Sequence, residues 1–187
     1  MIKLTKDIIL YHGSYIEVNK IDLNKCEDNK DFGKGFYLTT SKEQAISFVK
    51  LSINKAKSRK LINEDINKGY LSIFKLDNME NLKIKYFETA DKEWLHYVVA
   101  NREVGKFNDL LSLYKDYNVI VGKIANDRTA STLQAYVEGI FGEVGTEIAD
   151  SAAISTLLPE KLENQICFKT EDAIRDLKFV ESCEVDG

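Results

Sequence analysis

"LYHGS", residues 10–14, is followed by "DFGKGFYLTT", residues 31–40, and these two runs decide how the rest of the chain is read. Residues 8–11 are β-prone and stop at Gly13, and residues 36–38 read as a second short strand. Between Gly13 and Asp31 the chain is polar and loop-like. The second run leads into a helix, with Thr40 or Ser41 as its cap. Thr40 and Glu43 form a possible capping box, in which hydroxyl and carboxylate each satisfy a free N–H. Ala45, Phe48, Val49, Ile53 and Ala56 then recur at helical spacing, and the helix ends before "NEDINKG".

Further along, "GYLSIFKLD", residues 69–77, alternates loosely and predicts a strand. Asp91 caps "KEWLHYVVANR", where Trp94, Leu95, Val98 and Val99 make a buried stripe. "YNVIVGKIAND", residues 117–127, reads as a core strand running into a polar turn. Thr129 or Ser131 caps a helix through Ile140, and residues 147–158 predict another, stopped by Pro159. "QICFK" is a strand, Thr170 caps a short helix through Leu177, and residues 179–181 make a last strand. Short strands separated by helices, without regular alternation, predict an α+β fold rather than a doubly wound sheet. With one proline, no low-complexity linker and no internal repeat, a single domain over residues 1–187 is the simplest organisation.

Composition narrows the classes. At 44% hydrophobic and 30% charged, 187 residues suffice for a globular domain with a real core. No stretch approaches the ~18 uninterrupted apolar residues of a membrane span, and the first residues lack the apolar run and cleavage site of an export signal, which predicts a cytoplasmic protein without a membrane partner. Three widely spaced cysteines read as structural thiols; two histidines and no CxxC pair argue against zinc, so no metal is expected. A formal charge of −4 and a pI near 5.4 disfavour a non-specific grip on nucleic acid. The one locally basic run, "NKAKSRK" at residues 54–60, reads as a solvated helix end followed by a loop, or as a contact with a polyanion.

The opening runs also carry chemistry. A glycine after a strand lets another molecule approach the backbone, and the imidazole of His12 beside it can donate or accept. On residues alone a structural histidine remains the commoner reading of His12, and His96, flanked by Leu95 and Tyr97, reads as structural. Gly33 and Gly35 flank Lys34 just before a strand, so the backbone can turn and present an N–H or a carbonyl to a ligand, or can simply turn into a core strand. The run lacks both the Walker spacing and the third glycine of a dinucleotide fingerprint. Tyr37 offers a flat face suited to stacking.

"LYHGS" followed by "DFGKGFYLTT" resembles the first two motifs of the ADP-ribosyltransferase superfamily, in its histidine–tyrosine–glutamate branch. "EWLHYVVANR", "VIVGKIANDR" and "NQICFKTEDAIRDLKF" resemble, in order, later blocks of a bacterial family of that superfamily, the domain-of-unknown-function 3990 family, and the likeness spans residues 8–182. The resemblance implies split β-sheets with surrounding helices and NAD, as co-substrate, in a central cleft. It implies that His12 holds the adenosine-side ribose, that the Gly13 backbone pairs with the nicotinamide carboxamide, and that Tyr37 stacks on the nicotinamide ring. Thr39 is a secondary polar contact, and Ser14 and Gly35 complete the implied cofactor-binding set.

The third motif departs from the pattern. Where many members carry a glutamate that binds the nicotinamide-side ribose and stabilises the developing oxocarbenium ion, this chain has Gln165, which bears no charge. Glu163, two residues earlier, either faces the same way or is an exposed loop end. Asp127 either assists an acceptor or caps a helix. Arg102 suits the pyrophosphate or a buried acid, and Lys34 a phosphate or solvent. The implied activity is transfer of ADP-ribose from NAD to an unidentified acceptor, a protein more than a nucleic acid. The alternatives are NAD hydrolysis and a non-catalytic NAD or ADP-ribose module; an RNA 2′-phosphate transfer has little support, since no paired arginines on a basic surface accompany it. At the family level the resemblance implies a toxin or delivered effector with a small neutralising partner protein.

Overall fold

The His12 and Tyr37 runs fall in different sheets. The computed structural model describes residues 2–103, 105–124, 127–158 and 162–187. β1 (Ile9–Ser14), β3 (Lys68–Leu76) and β7 (Leu177–Asp186) form one antiparallel sheet in the order β1-β3-β7. The other sheet runs β2 (Phe36–Leu38), β6 (Asn164–Phe168), β5 (Val119–Lys123), β4 (Ile84–Tyr86), antiparallel except for the β4–β5 pair. One rung joins the sheets: Tyr11 N–H donates to the Thr39 carbonyl at 2.8 Å, and Thr39 N–H to the Tyr11 carbonyl at 3.0 Å.

Alternation along β2 sorts its side chains between two cores. Phe36 and Leu38 enter the core between the sheets, with Leu10, Phe74, Val121 and Ile166. Tyr37 packs on the far side, against the core formed with the helices, which includes Phe32, Trp94, Tyr97, Ile120 and Cys167. The second sheet is therefore covered on both faces, which is why β5 and β6 are buried along nearly all their length.

The helices are α1 (Lys42–Ser58), α2 (Lys92–Arg102), α3 (Asn108–Leu113), α4 (Asp127–Val137), α5 (Glu147–Leu157) and α6 (Glu171–Arg175). Ser41, not Thr40, caps α1: its hydroxyl accepts the Gln44 N–H at 3.1 Å and donates to Glu43. Asp91 and Thr170 cap α2 and α6 as expected, accepting from Trp94 at 3.0 Å and from Ala173 at 3.2 Å. α4 starts before the expected caps Thr129 and Ser131, because Thr129 is buried within the helical layer rather than at its edge. It ends at Val137, not Ile140, where Gly139 at φ +77° turns the chain. β5 is shorter than residues 117–127, α6 stops at Arg175, and β7 extends over ten residues where three were expected. Among the described residues no helix is long and apolar enough to cross a membrane.

Candidate functional site

The rung between the sheets sets the geometry around His12. Alternate residues of an antiparallel strand turn their N–H and C=O to opposite edges. Tyr11 turns both to Thr39, so His12 turns its pair to β3, and Gly13 faces the β2 side again, one step beyond the rung. A Cβ on Gly13 would stand 1.9 Å from the Ala45 carbonyl oxygen. The close approach expected at this glycine is made, on its side-chain face, by α1.

His12 Nδ1 lies 2.9 Å from the carbonyl oxygen of Tyr37. A carbonyl only accepts, so Nδ1 carries the proton and Nε2 is left as an acceptor. Burial holds the imidazole below its ordinary value, outweighing the bond to Tyr37 that favours the charged form. The ring is neutral at pH 7 and lies against Phe36, centroids 4.5 Å apart.

Tyr37 is fastened at its far end. Its hydroxyl donates to the Gly33 carbonyl at 2.7 Å and accepts the Phe32 N–H at 3.0 Å. The half-buried ring is thereby tied to the glycine loop, and burial, with Cys167 and Asp31 nearby, raises its pKa well above the ordinary value. Gly33 sits at φ +78°, a conformation that favours glycine, while a Cβ on Gly35 would meet Cys167 Sγ at 2.4 Å. The two glycines of the run thus serve a turn and a close strand contact.

Tyr37 pairs with Cys167 across β2 and β6, so Gln165, two residues away, shares that face of the sheet. Gln165 is 7% exposed. Its Nε2 donates to Asp31 Oδ2 at 2.5 Å and more weakly toward the Lys123 carbonyl at 3.4 Å. Asp31, also buried, receives Arg102 Nε at 2.9 Å and Nη2 at 2.5 Å on its other oxygen. Of the two partners expected for Arg102, the structure supplies the buried acid. Asp31 itself was absent from the expected site. Its only sequence signal is an acid placed directly before "FGKG".

Other expected residues make contacts of their own or lie outside the described residues. Glu163 precedes β6 and is exposed, with its carbonyl accepting the Ile124 N–H at 2.9 Å. The Thr39 hydroxyl is buried, donates to Gln44 Oε1 at 2.5 Å and accepts from Ser41 N–H at 3.1 Å, in the turn from β2 to α1. Ser14 Oγ accepts the Ile16 N–H at 3.4 Å, and Lys34 is exposed. Asp127 opens α4, but its side chain lies outside the described residues. His96 is buried and bound to Asp150 at 2.8 Å, stacked on Phe107.

Together these residues present a neutral imidazole acceptor, a peptide edge, an anchored aromatic ring and a buried amide on a carboxylate. No curated protein matches the chain. The family described as "Protein of unknown function (DUF3990)" matches residues 8–179, and the chain belongs to that family.

Proposed function

We propose that this protein binds NAD where the two sheets meet and transfers its ADP-ribose to an acceptor, releasing nicotinamide. The observation that carries the reading is the convergence on one rung, Tyr11–Thr39, of His12, the Gly13 edge and Tyr37. The Gly13 N–H and C=O suit the two hydrogen-bonding groups of a carboxamide. The Tyr37 ring suits the nicotinamide face, and its double anchorage removes the cost of ordering it on binding. His12 Nε2 accepts from a ribose hydroxyl, and Gln165 lies on the Tyr37 face for the second ribose.

In this reading the bond from nicotinamide N1 to the ribose C1′ breaks with its electron pair going to nitrogen, so nicotinamide leaves neutral. The acceptor's lone pair then forms the new bond to C1′, and its proton passes to solvent. Fixing the bent dinucleotide and favouring the charged state over the resting one supply the rate gain. With water as acceptor the same steps hydrolyse NAD. The acidic surface of a chain with charge −4 favours a protein acceptor over a nucleic acid.

A second reading, a module that holds NAD or ADP-ribose without turnover, is favoured by the neutral Gln165 at the reacting ribose. Incubating purified protein with NAD and measuring free nicotinamide separates the two. Release is expected, and Tyr37→Ala should lower it by about 100-fold. Binding without release would establish the module instead.

A further inference from the structure

We infer that Asp31 is a positioning residue that turns Gln165 into the functional equivalent of a negatively charged group; this rests on the NAD-transfer reading above. The side-chain amide of glutamine has an accepting and a donating end. Both groups that Gln165 meets in the protein, Asp31 Oδ2 at 2.5 Å and the Lys123 carbonyl at 3.4 Å, are acceptors. The NH2 group must therefore face them, and Oε1 must face the other way. Among the described residues none donates a hydrogen bond to Oε1.

The carboxylate does more than fix the amide's direction. An N–H bonded to a carboxylate polarises its own amide and places more negative charge on the carbonyl oxygen. Oε1 then meets a ribose hydroxyl, and the positive charge growing on C1′, as a stronger acceptor than an ordinary glutamine oxygen. Asp31 is in turn held by Arg102 Nε at 2.9 Å and Nη2 at 2.5 Å, both on Oδ1, while its Oδ2 receives Gln165 Nε2. Burial of Asp31 and Gln165 keeps solvent from screening the relay. A carboxylate thus stands one hydrogen bond behind Gln165, on a segment 134 residues away in sequence, with its charge partly offset by the Arg102 guanidinium.

The test is a charge swap, read by steady-state nicotinamide release. Asp31→Asn should lower kcat by about 10- to 100-fold while KM for NAD stays within about threefold, because the ground-state contact survives and the charge does not. Combining Asp31→Asn with Gln165→Glu moves the carboxylate forward by one position and should bring kcat back to within about tenfold of the wild type. Wild-type kcat in Asp31→Asn overturns the inference. So does a folded double variant that stays as slow as the single one, since a purely structural Asp31 would not be rescued by charge at position 165. If Asp31→Asn does not fold, the folded double variant decides against the wild type: kcat within about tenfold supports the inference, and a larger loss overturns it. Failure of the wild type to release nicotinamide removes the NAD-transfer reading and this inference with it, whereas an unaffected Asp31→Asn removes this inference alone.

Discussion

Gly13 meets two separate demands, a bare α-carbon against the Ala45 carbonyl and a backbone edge turned toward the β2 side. The first makes it a folding residue whatever it binds. Gly13→Val inserts three carbons where even one stands 1.9 Å from a helix backbone oxygen, and α1 must shift to admit them. We expect a loss of about 3 kcal/mol or more in a denaturant titration, so any lost activity in that variant reports on folding first. His12, Gly13 and Tyr37 were legible as candidates because they sit in two contiguous runs. Asp31 was not, since its partners Arg102 and Gln165 lie 71 and 134 residues away and no local pattern announces such a contact. The Thr39 hydroxyl, expected as a secondary polar contact, donates to Gln44, five residues on.

Between β1 and β2 the chain is held to the end of α1 by one carboxylate. Glu27 bonds Lys30 at 2.7 Å, Lys55 at 2.5 Å and Arg59, and these bonds hold its pKa well below the ordinary value of 4.5. The folded state therefore binds this proton less tightly than the unfolded chain. The stabilisation is fully present above pH 4.5 and is lost as pH falls through the lowered folded value. Because Glu27 is 36% exposed, solvent screening limits the effect. Glu27→Gln should cost at most about 1 kcal/mol at pH 7, and paired melts should show the difference shrinking below pH 4.5. The expected basic helix end is thus solvated in part, with Lys55 and Arg59 spoken for. Elements with a cap or a long apolar period, such as α1, α2 and β3, were read within a residue or two. β4 and α3 escaped: one has three half-buried residues, and the other starts from Phe107 at φ +48° with no side-chain cap. β7 was read too short because most of its side chains are exposed at a sheet edge, which erases the alternation a strand normally displays.

The second sheet is shared by both cores, so damage on one side should be felt on the other. Phe74, 1% exposed, lies in the core between the sheets, while Trp94, the sole tryptophan, lies in the helical core with its Nε1 donating to the Lys123 carbonyl at 3.1 Å. Phe74→Ala should remove about 3–5 kcal/mol. If the two cores unfold together, tryptophan fluorescence and far-UV circular dichroism will move to the same lower urea midpoint; separated midpoints would reveal two independent units. The α+β class was legible at this scale from the irregular order of short strands and helices. The division of the strands into two sheets was expected from the family resemblance alone, because it depends on which edges meet across long sequence gaps. What meets there, among the described residues, is one pair of peptide groups, Tyr11 with Thr39, beside the interlocking side chains of the core between the sheets. The bond from His12 Nδ1 to the Tyr37 carbonyl spans the same joint, so any change in the angle between the sheets is felt at both residues together.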